Sequence, residues 1–107
     1  MSLDADRIYH KLLSAGEDWA DKRAAALVLE ETKKPLLAKL MNESKATSVA
    51  AKEMEALADD RYQEHIKSMV EAGRNRDRAD VLYESLKALM ELRRSQESTR
   101  RAEAAIR

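Results

Sequence analysis

The chain has 107 residues and contains no cysteine, no phenylalanine, one proline and two glycines. Without cysteine there are no disulfides, thiolate metal sites or cysteine nucleophiles. Proline and glycine mark turns and breaks, so their scarcity indicates long uninterrupted segments. No apolar run approaches the ~20 residues that a membrane span needs, and no apolar core of a signal peptide is present. We therefore expect a soluble cytoplasmic protein with no membrane partner.

The residues that are present favour helices. Ala, Glu, Lys, Leu and Arg account for 63 of the 107 residues, a composition typical of long helices and coiled coils. Twenty basic residues balance twenty acidic ones, and 18 of the 47 hydrophobic residues are alanine. Because alanine buries little area, the core of a lone chain would be thin, which favours oligomerisation. The length predicts a single domain, residues 1–107.

The first half of the chain predicts one long helix after a short N-terminal element. Residues 4–14 form either a short N-terminal helix or a kinked extension, with Asp4 as its N-cap. The first long helix is predicted over residues 17–41. Pro35 lies inside it, and we expect a kink there because the apolar spacing continues beyond the proline.

A turn and a second long helix follow. Asn and Ser make residues 42–45 the strongest turn signal, and Thr47 or Ser48 can cap the next helix. The second long helix is predicted over residues 47–95, and residues 96–107 form a polar, fraying tail. A short connection makes long helices antiparallel neighbours. The predicted fold is therefore all-α: a long antiparallel helical hairpin, coiled-coil-like, that assembles as an oligomer.

The second helix carries the predicted oligomer seam. At ~1.5 Å per residue it would be on the order of 70 Å long, whereas a compact chain of 100 residues has a radius of gyration of ~13 Å. Its apolar stripe is therefore expected to meet another copy of the chain, in a dimer or a higher homo-oligomer. Leu82 and Leu89 widen the stripe near its end. The candidate seam residues are Tyr62, Ile66, Met69, Gly73, Tyr83, Leu86 and Met90.

Gly73 allows two architectures. As a C-cap it would end the helix, with Asn75 capping a third one. Within the seam it would instead permit close helix approach, at ~1 kcal/mol in helix propensity. Met69 and Tyr83 lie two heptads apart, so the stripe keeps its phase across the glycine, and this favours a continuous helix. We then expect Gly73→Ala to overpack the seam and destabilise the oligomer.

Residues able to carry chemistry are few. Tyr62 and Arg7 stand three residues before His65 and His10, so the Glu-x-x-His pairs of di-iron bundles are missing. No glycine-rich phosphate loop and no hydrolase or calcium-binding motif occurs. Trp19 is interpreted as a core anchor, and the adjacent carboxylates Asp59 and Asp60 as a solvated face. The sequence predicts no enzyme activity, no catalytic residue, no metal site and no cofactor.

An arginine group near the C-terminus supports an alternative function. Arg93 and Arg94 stand one heptad before Arg100 and Arg101, so both pairs lie on a common helix face. Such a cluster could contact the phosphate backbone of DNA or RNA, or an acidic protein partner. Residues 71–107 carry nine basic and seven acidic side chains, a smaller excess than nucleic-acid-binding domains show. We therefore interpret the cluster mainly as a solvated helix end.

Two stretches of the chain share a pattern of charged and small residues. They comprise residues 29–34 with 36–41, and residues 83–88 with 93–95 and 99–103. In these stretches the chain resembles small helical proteins encoded in early regions of phages and prophages. The resemblance implies a phage-associated role near DNA recombination or replication, and it implies no particular site residues. The predicted function is a non-enzymatic, self-associating helical module that binds a protein partner.

Overall fold

A computed structural model describes residues 4–106. It contains three helices: α1 (Ala5–Glu43), α2 (Val49–Ala58) and α3 (Asp60–Ile106), and no β-strand occurs within residues 4–106. The all-α helical hairpin predicted from the sequence is confirmed. Packing divides the chain into two units, each with its own buried residues. Unit 1 comprises Met1–Ala20 with Asp77–Arg107, and unit 2 comprises Asp21–Arg76.

Helix α1 is longer than predicted. Asp4 caps it, because its Oδ1 accepts hydrogen bonds from the backbone N–H groups of Asp6 and Arg7 at 3.0 and 3.2 Å. The helix passes through both Gly16 and Pro35, so residues 4–14 and the predicted helix over 17–41 belong to one element. The buried side chains of Ile8 and Ala15 lie seven residues apart on the same helix face.

The connection after α1 follows the predicted turn chemistry, two residues later than expected. Asn42 and Glu43 complete α1, and Ser44 opens the connection by donating its N–H to the Met41 carbonyl at 3.1 Å. Ser48 then caps α2, since its hydroxyl oxygen accepts the N–H of Ala51 at 3.1 Å. The prediction of a cap at Thr47 or Ser48 is confirmed.

The predicted unbroken helix over 47–95 is wrong, because the chain breaks at Asp59. This residue has extended backbone angles (φ −65°, ψ 135°), and its N–H donates to the Ala56 carbonyl at 3.2 Å. Its Oδ1 accepts the N–H of Arg61 at 2.8 Å, so one aspartate ends α2 and caps α3. The sequence interpretation of Asp59 as a solvated surface residue missed this cap.

After the break, α3 continues without interruption to Ile106. It passes through Gly73, as the phase of the apolar stripe predicts. The predicted fraying tail over 96–107 is helical as far as residue 106, while Arg107 lies outside the described residues. Residues 98–106 are all exposed, so this end of α3 is polar and solvated, but it keeps its helical backbone.

Unit 2 has its core where α1, α2 and α3 meet. Leu40, Ala56 and Tyr62, one from each helix, are buried together. The half-buried side chains packed around them are Leu36, Leu37, Met41 and Ile66. Nearer the middle of α1, the Nε2–H of His65 donates to the Leu29 carbonyl at 2.7 Å. This polar contact links α3 to α1 beyond the apolar cluster.

Unit 1 is built on small residues and one aromatic pair. Ile8, Ala15 and Ala79 are buried. The rings of Trp19 and Tyr83 stack with 5.8 Å between centroids and 17° between planes. This places Trp19 in the packing of α1 against α3, in agreement with its interpretation as an anchor.

Candidate interaction surface

The predicted oligomer seam faces the chain's own helices wherever a contact is defined. Tyr62 and Ile66 pack against the α1 residues of the unit 2 core, and Tyr83 stacks on Trp19. Met69, Gly73, Leu86 and Met90 are half-buried. The length of α3 therefore does not by itself require a second chain, because α1 covers its apolar stripe within each unit. The expectation that the apolar stripe of α3 must meet another copy of the chain therefore does not follow from the length of this helix.

Gly73 is not a close-contact position. A Cβ atom placed on it would meet only the Arg76 guanidinium, at 3.6 Å. The close contact occurs at Gly16 instead, where a Cβ would lie 3.2 Å from Cε1 of the Tyr83 ring. An added Cβ would therefore be crowded by a facing side chain at Gly16 of α1, whereas Gly73 of α3 has room for it.

A second stripe of α3 is exposed at five of its six positions. Its members are uncharged and recur at alternating steps of three and four residues, the spacing of a heptad seam. With ~100° per residue this stripe lies away from the Tyr83–Leu86–Met90 side. Leu82 and Leu92 are 53% and 51% exposed, and Leu89 is half-buried. We name as the second stripe Leu82, Ser85, Leu89, Leu92, Gln96 and Thr99.

The row of residues beside the second stripe is also free of charge. Val81, Ala88, Ser95 and Ala102 recur every seven residues along it, and all four are exposed. Together with the second stripe they make ten positions without one charged side chain. At the chain's average of 37% charged residues, ten positions would carry three or four charges. An exposed face without charge is a candidate surface for binding a partner.

One polar group of this face can be covered without losing its hydrogen bond. The Ser85 hydroxyl donates to the Val81 carbonyl of its own helix at 2.7 Å, so burial would leave that donor satisfied. Leu92, Gln96 and Thr99 of the second stripe line an open groove of about 420 Å³ together with Ser95, Arg100 and Glu103. The groove therefore joins the uncharged stripe to one arginine and one glutamate at its distal end.

Four charged residues of the same stretch lie away from the second stripe and form two ion pairs. Lys87 Nζ is 2.9 Å from the Glu84 carboxylate and 5.0 Å from the centre of the Tyr83 ring. Arg94 Nη1 is 3.3 Å from Glu91. These i,i+3 pairs keep the helix soluble on one side. This part of α3 therefore has two faces of low charge. One packs against α1, and the other, the second stripe, faces solvent.

Glutamates on the same helix accompany three arginines of the proposed nucleic-acid cluster. Arg93 pairs with Glu97, Arg100 Nη1 lies 3.8 Å from Glu97, and Arg94 pairs with Glu91. The hydrogen bond from Arg93 lowers the pKa of the Glu97 carboxyl below its usual value. Arg101 is exposed. The structure brings the four arginines onto one helix end, and it brings carboxylates there as well.

The corner between α1 and α3 holds a separate polar cluster. The Arg61 guanidinium donates to Glu43 at 2.7 Å and to Asp59 at 3.0 Å, and Ser44 donates to Glu55. The hydrogen bond from the Arg61 side chain lowers the pKa of Asp59. Each of these groups holds the chain at a helix end. Within residues 4–106 no three His, Asp or Glu side chains are arranged to hold a metal ion.

Comparisons with protein-family models, with curated proteins and with solved structures give no match to this chain. In the described part of the chain, none of the helices combines the length and the apolar character needed to cross a bilayer. From the sequence, Leu82 and Leu89 are expected only to widen the apolar stripe that carries the predicted oligomer seam. The signal that separates the second stripe is Leu92, which keeps the three-and-four spacing with both leucines.

Proposed function

We propose that this protein is a non-enzymatic helical interaction module. In this proposal α3 packs against α1 within each unit and offers its second stripe to a helix of another protein chain. The observation that carries the proposal is the exposed, charge-free face around Leu92. The proposal includes a cytoplasmic, phage-associated role, which rests on the resemblance noted for the sequence, and it includes no cofactor.

The chemistry of the face supports a helical partner. Leucines at heptad spacing pack by inserting knobs into the holes of a facing helix, and serine and alanine between them allow close approach. Burying two half-exposed leucines contributes on the order of 1–3 kcal/mol in total. The carboxylates beside the arginine cluster favour a helical protein partner over phosphate binding, because they compete with phosphate for the same guanidinium groups.

Site-specific photo-crosslinking tests the proposal directly. A benzophenone amino acid replaces Leu92, and in a matched control it replaces Glu91, which is exposed on the same turn but points ~100° away. Irradiation in the cytoplasm of cells that make the protein should give a defined protein adduct from position 92 and not from position 91. Mass spectrometry of the adduct identifies the partner. Equal adducts at both positions, or none at position 92, would refute the interaction surface.

A further inference from the structure

We infer that α2 is a releasable cover over the unit 2 core, and that it opens as one element while α1 and α3 stay folded. Its opening would uncover Leu40 and Tyr62, which are 4% and 7% exposed in the closed structure. The inference does not depend on the proposed function, because α2 belongs to unit 2 and the second stripe belongs to unit 1.

Apolar packing holds α2 only weakly. Of its ten residues, all of which the structure describes, Ala56 alone is buried. Its larger apolar side chains remain in contact with solvent, since Val49 and Met54 are 71% and 73% exposed and Leu57 is 37% exposed. Because the free energy of burial scales with the apolar area removed from water, one alanine contributes little to the docking of α2.

The length of α2 makes its helix dependent on that docking. Isolated helices shorter than ~12–15 residues are marginal in water, and α2 has ten residues. Non-helical backbone bounds it on both sides, at residues 44–48 and at Asp59. Consequently α2 can separate from the core without a break inside α1 or α3.

A cleft lies between α2 and the end of α1. It has a volume of about 200 Å³, and Leu40 and Ala56 line it together with polar side chains of the corner. Closely packed protein interiors contain few voids larger than a water molecule. The packing under α2 is therefore incomplete on this side, so fewer contacts are lost when α2 separates.

A polar latch, defined as Glu43, Asp59 and Arg61, keeps α2 in place. The Arg61 guanidinium donates to Glu43 at 2.7 Å and to the two carboxylate oxygens of Asp59 at 3.0 and 3.1 Å. It thereby ties the break after α2 to the last residue of α1. The side chains of Arg61 and Glu43 are 56% and 44% exposed, and exposed ion pairs are individually weak. The latch therefore favours the closed position by only a small free energy.

The contact between α1 and α3 does not need α2. Four further side chains of these two helices pack against the core: Leu36, Leu37, Met41 and Ile66. The hydrogen bond from His65 to the Leu29 carbonyl joins the same two helices at 2.7 Å. Release of α2 would therefore expose one side of the core and leave α1 and α3 joined.

Thiol labelling measures this opening, because the chain has no cysteine of its own. Ala56→Cys and Ala26→Cys form a matched pair, since both alanines are 2% exposed and they lie in α2 and α1 of the same unit. Iodoacetamide should label position 56 faster than position 26 by on the order of tenfold or more, because local opening requires less free energy than unfolding of the unit. Equal rates at the two positions would overturn the inference, since α2 would then open only together with α1 and α3.

Arg61→Gln tests the latch itself. Labelling at position 56 should become about two- to fivefold faster, the range that exposed ion pairs allow, with no change at position 26. Arg74→Gln is the matched control, because the Arg74 side chain is also 56% exposed on α3 and pairs with Glu71; it should change neither rate. An unchanged rate at position 56 in Arg61→Gln, or an equal effect of Arg74→Gln, would overturn the latch.

Hydrogen exchange of the unsubstituted chain repeats the comparison without an added thiol. The backbone amides of α2 should exchange faster than the helical amides of α1 and α3 that flank the unit 2 core. Protection of the α2 amides equal to that of these α3 amides would contradict a separate opening of α2.

Discussion

Alanine at the two glycines should affect stability in opposite directions. At Gly73 the added Cβ would meet only the flexible end of Arg76, at 3.6 Å, an ordinary contact distance. The substitution then gains helix propensity, about 1 kcal/mol. This reverses the sequence-based expectation that Gly73→Ala would overpack a tight seam. For a chain of this size the gain corresponds to a rise of about 4–8 °C in Tm.

At Gly16 the same propensity gain is opposed by a collision. The Cβ would lie 3.2 Å from Cε1 of Tyr83, which is shorter than the 3.5–4.0 Å optimum for carbon atoms. The ring cannot move freely because Trp19 stacks on it. Overpacking costs about 1–3 kcal/mol, so the net change should lie between zero and a loss of about 2 kcal/mol.

Urea and thermal unfolding followed by circular dichroism measure both variants against the parent protein. A Tyr83→Leu background supplies the control, because without the ring Gly16→Ala should regain its stabilising effect. Trp19 fluorescence adds a local readout, since a displaced Tyr83 ring changes the surroundings of the indole. Equal stabilisation by Gly16→Ala and Gly73→Ala in the parent protein would refute the contact between Gly16 and Tyr83.

Three further predictions follow from the polar contacts. His65→Leu removes the donor to the Leu29 carbonyl and should lower the unfolding free energy by about 1 kcal/mol, whereas His65→Gln should lose less; equal urea midpoints for His65→Leu and the parent would contradict this. The pKa values of Asp59 and Glu97 are lowered in the folded state. The stability that they contribute is therefore complete above the ordinary carboxyl pKa, about 4, and is lost as pH falls below it. Urea midpoints between pH 6 and pH 2.5 should fall less steeply for Asp59→Asn and Glu97→Gln, and parallel curves would count against these contacts. Finally, because carboxylates accompany Arg93, Arg94 and Arg100, we expect no gel shift of DNA or RNA at low salt; a shift that weakens steeply with salt would restore the phosphate-binding alternative.

The local chemistry of the sequence is sufficient to predict two of the helix caps and the all-α fold class. Asp4 and Ser48 are recognised because a short side-chain oxygen before an apolar run satisfies the first N–H groups of a helix. The continuity of α3 through Gly73 follows from the apolar phase on both sides of it. Asp59 also has a short side-chain oxygen, but its role as a cap is not predicted. An aspartate in a charged stretch can equally well be a solvated surface residue.

The partner of each helix face was decided only by the tertiary structure. The spacing of Tyr62, Ile66 and Tyr83 identifies a face that must be covered, and it is the same whether the cover is α1 or another chain. The contacts of Tyr83 with Gly16 and Trp19 join residues more than sixty positions apart, and helical periodicity describes only neighbours along one helix. Once α1 covers the stripe that contains these residues, Leu82 and Leu92 remain among the exposed apolar side chains of α3. The sequence alone therefore determined which residues form apolar faces, and only the packing of α1 against α3 decided which face is left for a partner.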